Sequence, residues 1–123
     1  MSKAAIPSDR ELDLLKAMWR LGEAKVRDIH AAVCPDGECA FTTIQTLVRI
    51  MCRKGLVSKR SEARTDYYTP VYTLELAASR FVDKVFDGAI DKFVLSMLAD
   101  EKVSADELKK LEQMIAKARK AKQ

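Results

Sequence analysis

Phe41 to Val71, FTTIQTLVRIMCRKGLVSKRSEARTDYYTPV, is the stretch that decides how this chain is read. At about 100° per residue, Ile44, Leu47, Val48 and Met51 share one side of a helix. Thr42, Gln45, Thr46, Arg49 and Arg53 share the other, with Thr43 on the flank. Hydroxyls and an amide lie toward the N-terminal end of that polar side, and arginines toward the C-terminal end. Thr, Gln and Arg all suit base edges in a major groove, and a recognition helix presents its N-terminal residues there. Thr42, Thr43, Gln45, Thr46 and Arg49 are therefore the expected base-facing set. The bland alternative is the solvent face of an ordinary core helix.

The residues that follow read as two strands, 56–61 and 67–71, around a polar wing at 62–66, with Pro70 confined to a strand end or edge. Arg53, Lys54, Lys59, Arg60 and Arg64 look like phosphate contacts, which position a protein without reading sequence. From Phe41 to Arg64 six Lys/Arg face a single acid, Glu62, a local excess of +5 against +4 for all 123 residues. Such a concentration of charge beside a groove-sized helix is the footprint of nucleic-acid binding.

Working outward, Ser8 and Glu11 fit a capping box that opens a first helix. Leu12, Leu15, Met18 and Trp19 form its apolar face, and Gly22 its stop. A short extended stretch at 24–26 leads to a second helix, 26–33, with Val26, Ile29 and Val33 inward. The turn CPDGEC precedes the decisive helix, which Gly55 closes. This helix-helix-helix-hairpin order is that of a winged helix-turn-helix, with Leu15, Trp19, Ile29, Ile44, Leu47 and Val57 in its core. Residues 1–72 are read as this DNA-binding domain and 73–123 as a helical dimerisation region. The whole is mainly α, with one small β-hairpin.

The second region holds three amphipathic helices: 73–86, 89–98, and one opening at Ser104 with a second capping box to Glu107. Its Lys-rich end is expected to fray. Small helical units expose too much surface to hide such faces alone. Phe81, Val85, Phe93, Leu98, Leu108 and Ile115 are the expected contacts with a second copy, since two-fold symmetry adds affinity and specificity to a DNA reader.

Hydrophobic content of 48% with 33% charged residues is ordinary. No apolar run approaches the ~20 residues of a membrane span, and MSKAAIPSDRELD lacks the apolar core of a signal peptide. A cytoplasmic protein without membrane insertion is expected.

The chain resembles the penicillinase-repressor family over about 110 residues. SDRELDLLKAMWRLGEAKVRDIHAAV is similar to the family's opening, TTIQTLVRIMCRKGLVSKR to its recognition helix and first strand, and TPV with FDGAIDKFVLSML to its linker and dimerisation helices. The resemblance implies a homodimeric repressor on a double-stranded, palindromic DNA operator. It also implies release by a membrane-bound sensor protease that cuts between Asn and a hydrophobic residue. Ser96 followed by Met97 stands at that position here, so the Asn is absent.

The three cysteines are read as reduced structural residues. The alternative is control of DNA binding by metal or redox state, with His30, Cys34, Cys39 and Cys52 as soft ligands or Cys34 and Cys39 as a redox pair. No catalytic constellation or phosphate-cradling glycine loop is recognised, so neither enzyme activity nor a cofactor is expected. The remaining class is a winged helix that binds other proteins.

Overall fold

The computed structural model describes residues 6–123. They divide into two compact units, one reaching to Ala78 and one from Ser79 to Gln123. Among the described residues no helix is long and apolar enough to cross a membrane.

In the first unit, α1 (Asp9–Leu21), α2 (Val26–Val33) and α3 (Phe41–Arg53) precede a hairpin of β1 (Val57–Glu62) and β2 (Thr65–Pro70). Ser8 caps α1 reciprocally with Glu11, as its sequence foretells. At the end of α3, Gly55 adopts φ +80°. The Gly55 N–H donates to the Cys52 carbonyl and the Leu56 N–H to that of Met51. This is the Schellman closure, in which a left-handed glycine satisfies the last carbonyls. Leu56 is thereby turned straight into the core beside Met51, both fully buried, rather than opening the first strand.

The core is built from Leu14, Leu15, Met18, Ile29, Ile44, Val48, Met51, Leu56, Val57, Tyr68 and Tyr72. Burying each large side chain contributes roughly 1.5–3 kcal/mol. The inward stripe of α1 is Glu11, Leu14, Leu15, Ala17 and Met18, so the expected face is rotated. Leu12 and Trp19 are only half-buried, as is Leu47 on α3. Trp19 still ties in, donating its indole N–H to the Tyr72 carbonyl at 2.9 Å.

The hairpin is tighter than the five-residue wing expected. Its register runs from Val57↔Pro70 to Glu62↔Thr65, leaving only Ala63 and Arg64 in the turn, at φ +50° and +67°. Positive φ at both central residues matches the right-handed twist of the strands. The Ser61 hydroxyl donates to Asp66 at 2.6 Å and holds the last pairs together. Beyond β2, Ala24 and Tyr68 exchange backbone hydrogen bonds at 3.0 and 2.8 Å. The extended stretch before α2 thus pins the wing to the helices.

α4 (Leu74–Phe86), α5 (Ile90–Leu98) and α6 (Ala105–Ala121) complete the chain. Leu76 and Ala77, in the first turn of α4, pack on the core of the first unit. Phe81, Phe86 and Phe93 of the second unit meet edge-on or tilted, with ring centroids 5.5–6.2 Å apart. α6 is exposed along its whole length. Its helix continues through the Lys-rich end to Ala121. Ala, Lys and Arg favour helix, and basic side chains suit the negative end of the helix dipole.

Candidate nucleic-acid interface

α3 presents its polar residues as two adjoining stripes. Gln45 and Arg49, with Phe41, line a cleft of about 340 Å³ whose other walls are Lys25, Val26 and Arg27 of α2's start and Arg64, Thr65, Asp66 and Tyr68 of the hairpin. Four cations and one acid border it. Thr42, Thr43 and Thr46, with Leu47, line a second and more open depression beside Arg10 of α1. The start of α1, the start of α2 and the wing therefore converge on one helix. Lys25, Arg27 and Arg10 are absent from the sequence-derived set, because other elements carry them to α3. α3 has no acid in its first turn and no side-chain cap, so the positive end of its dipole is unopposed.

The cations differ in how free they are. Arg49, Arg53, Lys59 and Arg64 are exposed. Lys54 instead donates to both carboxylate oxygens of Glu11, at 2.9 and 3.0 Å. Arg60 grips Glu23 with two hydrogen bonds of 2.9 and 2.8 Å and Glu62 with a third of 2.8 Å. Its guanidinium also lies 4.6 Å from the centre of the Tyr67 ring. The hydrogen bond to Glu23, and then that to Glu62, raise the Arg60 pKa. The hydrogen bond from Arg60 lowers that of Glu23. Lys54 and Arg60, both expected on phosphates, are thus engaged within the protein. A phosphate reaching either would compete with carboxylates already in place.

The cysteines separate. Cys34 and Cys39 form a disulfide across a Cα–Cα distance of 6.0 Å, within the usual bridging range. This corrects the expectation that they are reduced. The turn at 35–38 folds the end of α2 back on the approach to α3 and brings the two sulfurs together. His30 stands with them, their ligand atoms all within 4.8 Å of one another. Cys52 is a free thiol and does not join that group. It lies eleven residues into the same helix that Phe41 opens, roughly 16 Å along its axis.

In the second unit Phe81, Val85, Leu98, Leu108 and Ile115 are 38–55% exposed, and Phe93 is half-buried among the phenylalanines. Ser96 and Met97 lie within the last turn of α5, where the Ser96 hydroxyl donates to the Lys92 carbonyl at 2.9 Å.

A family model described as penicillinase repressor matches residues 7–117. The penicillinase repressor of Bacillus licheniformis is 24% identical over 119 residues, covering 94% of this chain and 93% of that protein. The transcriptional regulator BlaI of Mycobacterium tuberculosis is 28% identical over 120 residues, covering 94% and 87% respectively. The solution structure of the DNA-binding domain of the repressor BlaI superimposes with a TM-score of 0.51 at 27% identity, over 58% of this chain and 87% of that one.

Proposed function

The chain belongs to the penicillinase repressor family of DNA-binding transcriptional repressors, and we propose that it acts as a cytoplasmic homodimer on a palindromic operator. The observation that carries this is the cleft in which Gln45 and Arg49 of α3 meet Arg64 of the hairpin and Lys25 and Arg27 of α2. A helix lowered into a major groove would offer Gln45 and Arg49 to base edges, where a bidentate pair is worth about 1–3 kcal/mol of discrimination. Thr42, Thr43 and Thr46 would face the neighbouring bases or sugar-phosphates. Arg53, Lys59 and Arg64 would contact phosphates, joined by Lys25 and Arg27. We assign Lys54 and Arg60 to the fold.

Dimerisation is ascribed to the second unit. Leu108, Leu111, Met114 and Ile115 form a stripe on α6 that is 38–64% exposed. An apolar stripe of this kind marks an interaction surface. Two joined heads gain perhaps 10²–10⁴ in operator affinity through effective concentration. Proteolytic release by a membrane-bound sensor belongs to the same proposal. A cut at Ser96–Met97 would detach α6 and leave α3 untouched.

Titrating fluorescent DNA from upstream of the chain's own coding sequence at two salt concentrations tests this. A reader of several phosphates loses affinity steeply as salt rises. Absence of binding at low salt would favour the protein-interaction class instead.

A further inference from the structure

The Cys34–Cys39 disulfide straddles the turn of the helix-turn-helix. Cys34 is the C-cap of α2, and Cys39 immediately precedes Ala40, the N-cap of α3. The bond therefore closes the one segment that sets where α3 begins. Residues 35–38 are exposed, and among the described residues the turn is held by Gly37 N–H to the Cys34 carbonyl, 3.0 Å, and Asp36 N–H to Glu38, 3.1 Å. His30 adds a 2.8 Å bond from its ring to the Cys39 carbonyl and an edge-on contact with Phe41 at 5.8 Å.

The two sulfurs are unequal. Cys34 is 3% exposed, and the guanidinium of Arg10 approaches its Sγ at 3.7 Å. Cys39 is more open to solvent. In thiol–disulfide exchange the accessible sulfur is attacked, and the better stabilised thiolate leaves. The geometry assigns those parts to Cys39 and Cys34.

We propose that Cys34 and Cys39 form a reversible redox site that tunes operator binding, an inference that rests on the DNA-binding reading above. A low-molecular-weight thiolate attacks Cys39 Sγ. The S–S bond breaks, and its electron pair leaves on Cys34 as a thiolate beside Arg10. A second thiolate then attacks the small-molecule sulfur of the mixed disulfide and expels Cys39 as a thiolate. Both cysteines are reduced, and the two small thiols leave as their own disulfide. Reoxidation is the same exchange in reverse. In a compartment that keeps thiols reduced, a disulfide is ordinarily transient or redox-sensing rather than structural. With the bond closed, the approach to α3 is pre-ordered, which lowers the ordering cost of docking Thr42 and Thr43 on DNA.

The full chain is prepared oxidised with a small-molecule disulfide and reduced with dithiothreitol. Alkylation and mass spectrometry count its thiols, and binding to the upstream DNA is titrated in each state. One reactive thiol, Cys52, is expected in the oxidised form and three in the reduced. Operator affinity is expected to fall about tenfold on reduction. Cys34→Ser/Cys39→Ser should bind like the reduced form under both conditions, and Cys52→Ser like wild type. Equal or tighter binding after reduction overturns the proposal. So does an affinity change that appears only when zinc is added to the reduced protein, which would make His30, Cys34 and Cys39 a metal site. If neither state binds DNA, the repressor reading fails. The thiol count then decides the redox site alone, and three alkylated thiols after oxidation would refute it.

Discussion

Lys54 at the end of α3 holds the carboxylate of Glu11 on α1 through two hydrogen bonds of 2.9 and 3.0 Å. Glu11 is only 2% exposed, so the pair anchors the C-terminal end of α3 to α1. Removing the cation leaves a buried carboxylate with only its capping partner, Ser8. Because Lys54 keeps contact with solvent, the cost falls below that of a fully buried pair. Lys54→Ala is expected to lose about 1–3 kcal/mol of stability and to leave the salt dependence of DNA binding unchanged. Arg53→Ala should instead reduce the salt slope by about 1 with little loss of stability. Denaturant melts and salt titrations of both variants check this. A lowered slope for Lys54→Ala would return that residue to the phosphate contacts.

The same pair gives a pH signature. Burial pushes the Glu11 carboxyl up, but the Ser8 backbone N–H and the Lys54 ammonium outweigh it and hold the pKa below its ordinary 4.5. The unfolded chain therefore takes up this proton at a higher pH than the folded one. The contribution is complete above the unfolded value of 4.5 and is lost as pH falls through the lower folded value. The stability gap between wild type and Glu11→Gln should accordingly narrow as pH falls below the unfolded value of 4.5. A gap that widens on acidification contradicts the sign.

The elements of the head were legible wherever local chemistry specifies them. Ser8 with Glu11 marks a helix start and Gly55 a helix stop, because each satisfies terminal backbone groups that water would otherwise bind. The hairpin turn was not legible, since Ala63–Arg64 lacks the Asn or Gly that its positive φ values favour. Nor was the burial of Leu14 and Glu11, which depends on which side of α1 the other helices cover. Gln45 and Arg49 could be singled out because both lie on one helix. Lys25, Arg27 and Arg10 could not, because only tertiary packing brings them beside α3. The pairing of Lys54 and Arg60 with acids 43 and 37 residues away was hidden for the same reason.

Leu108 and Ile115 lie seven residues apart on the exposed face of α6, 38% and 54% exposed. Leu108→Asp/Ile115→Asp should preserve the helical circular-dichroism signal, since neither side chain is buried in the single chain. The variant is expected to sediment as a monomer and to lose perhaps 10²–10⁴ in operator affinity. A dimer that persists would move the interface elsewhere.

The central claim is that α3 reads bases while the wing only grips the backbone. It is tested most directly by the affinities of Gln45→Ala, Arg49→Ala and Arg64→Ala for operator and for random DNA of equal length. Gln45→Ala and Arg49→Ala should each lower the operator-to-random ratio about tenfold or more, from the 1–3 kcal/mol of a base contact. Arg64→Ala should weaken both DNAs alike and leave the ratio near that of wild type. Equal losses on both DNAs for all three variants would contradict the claim.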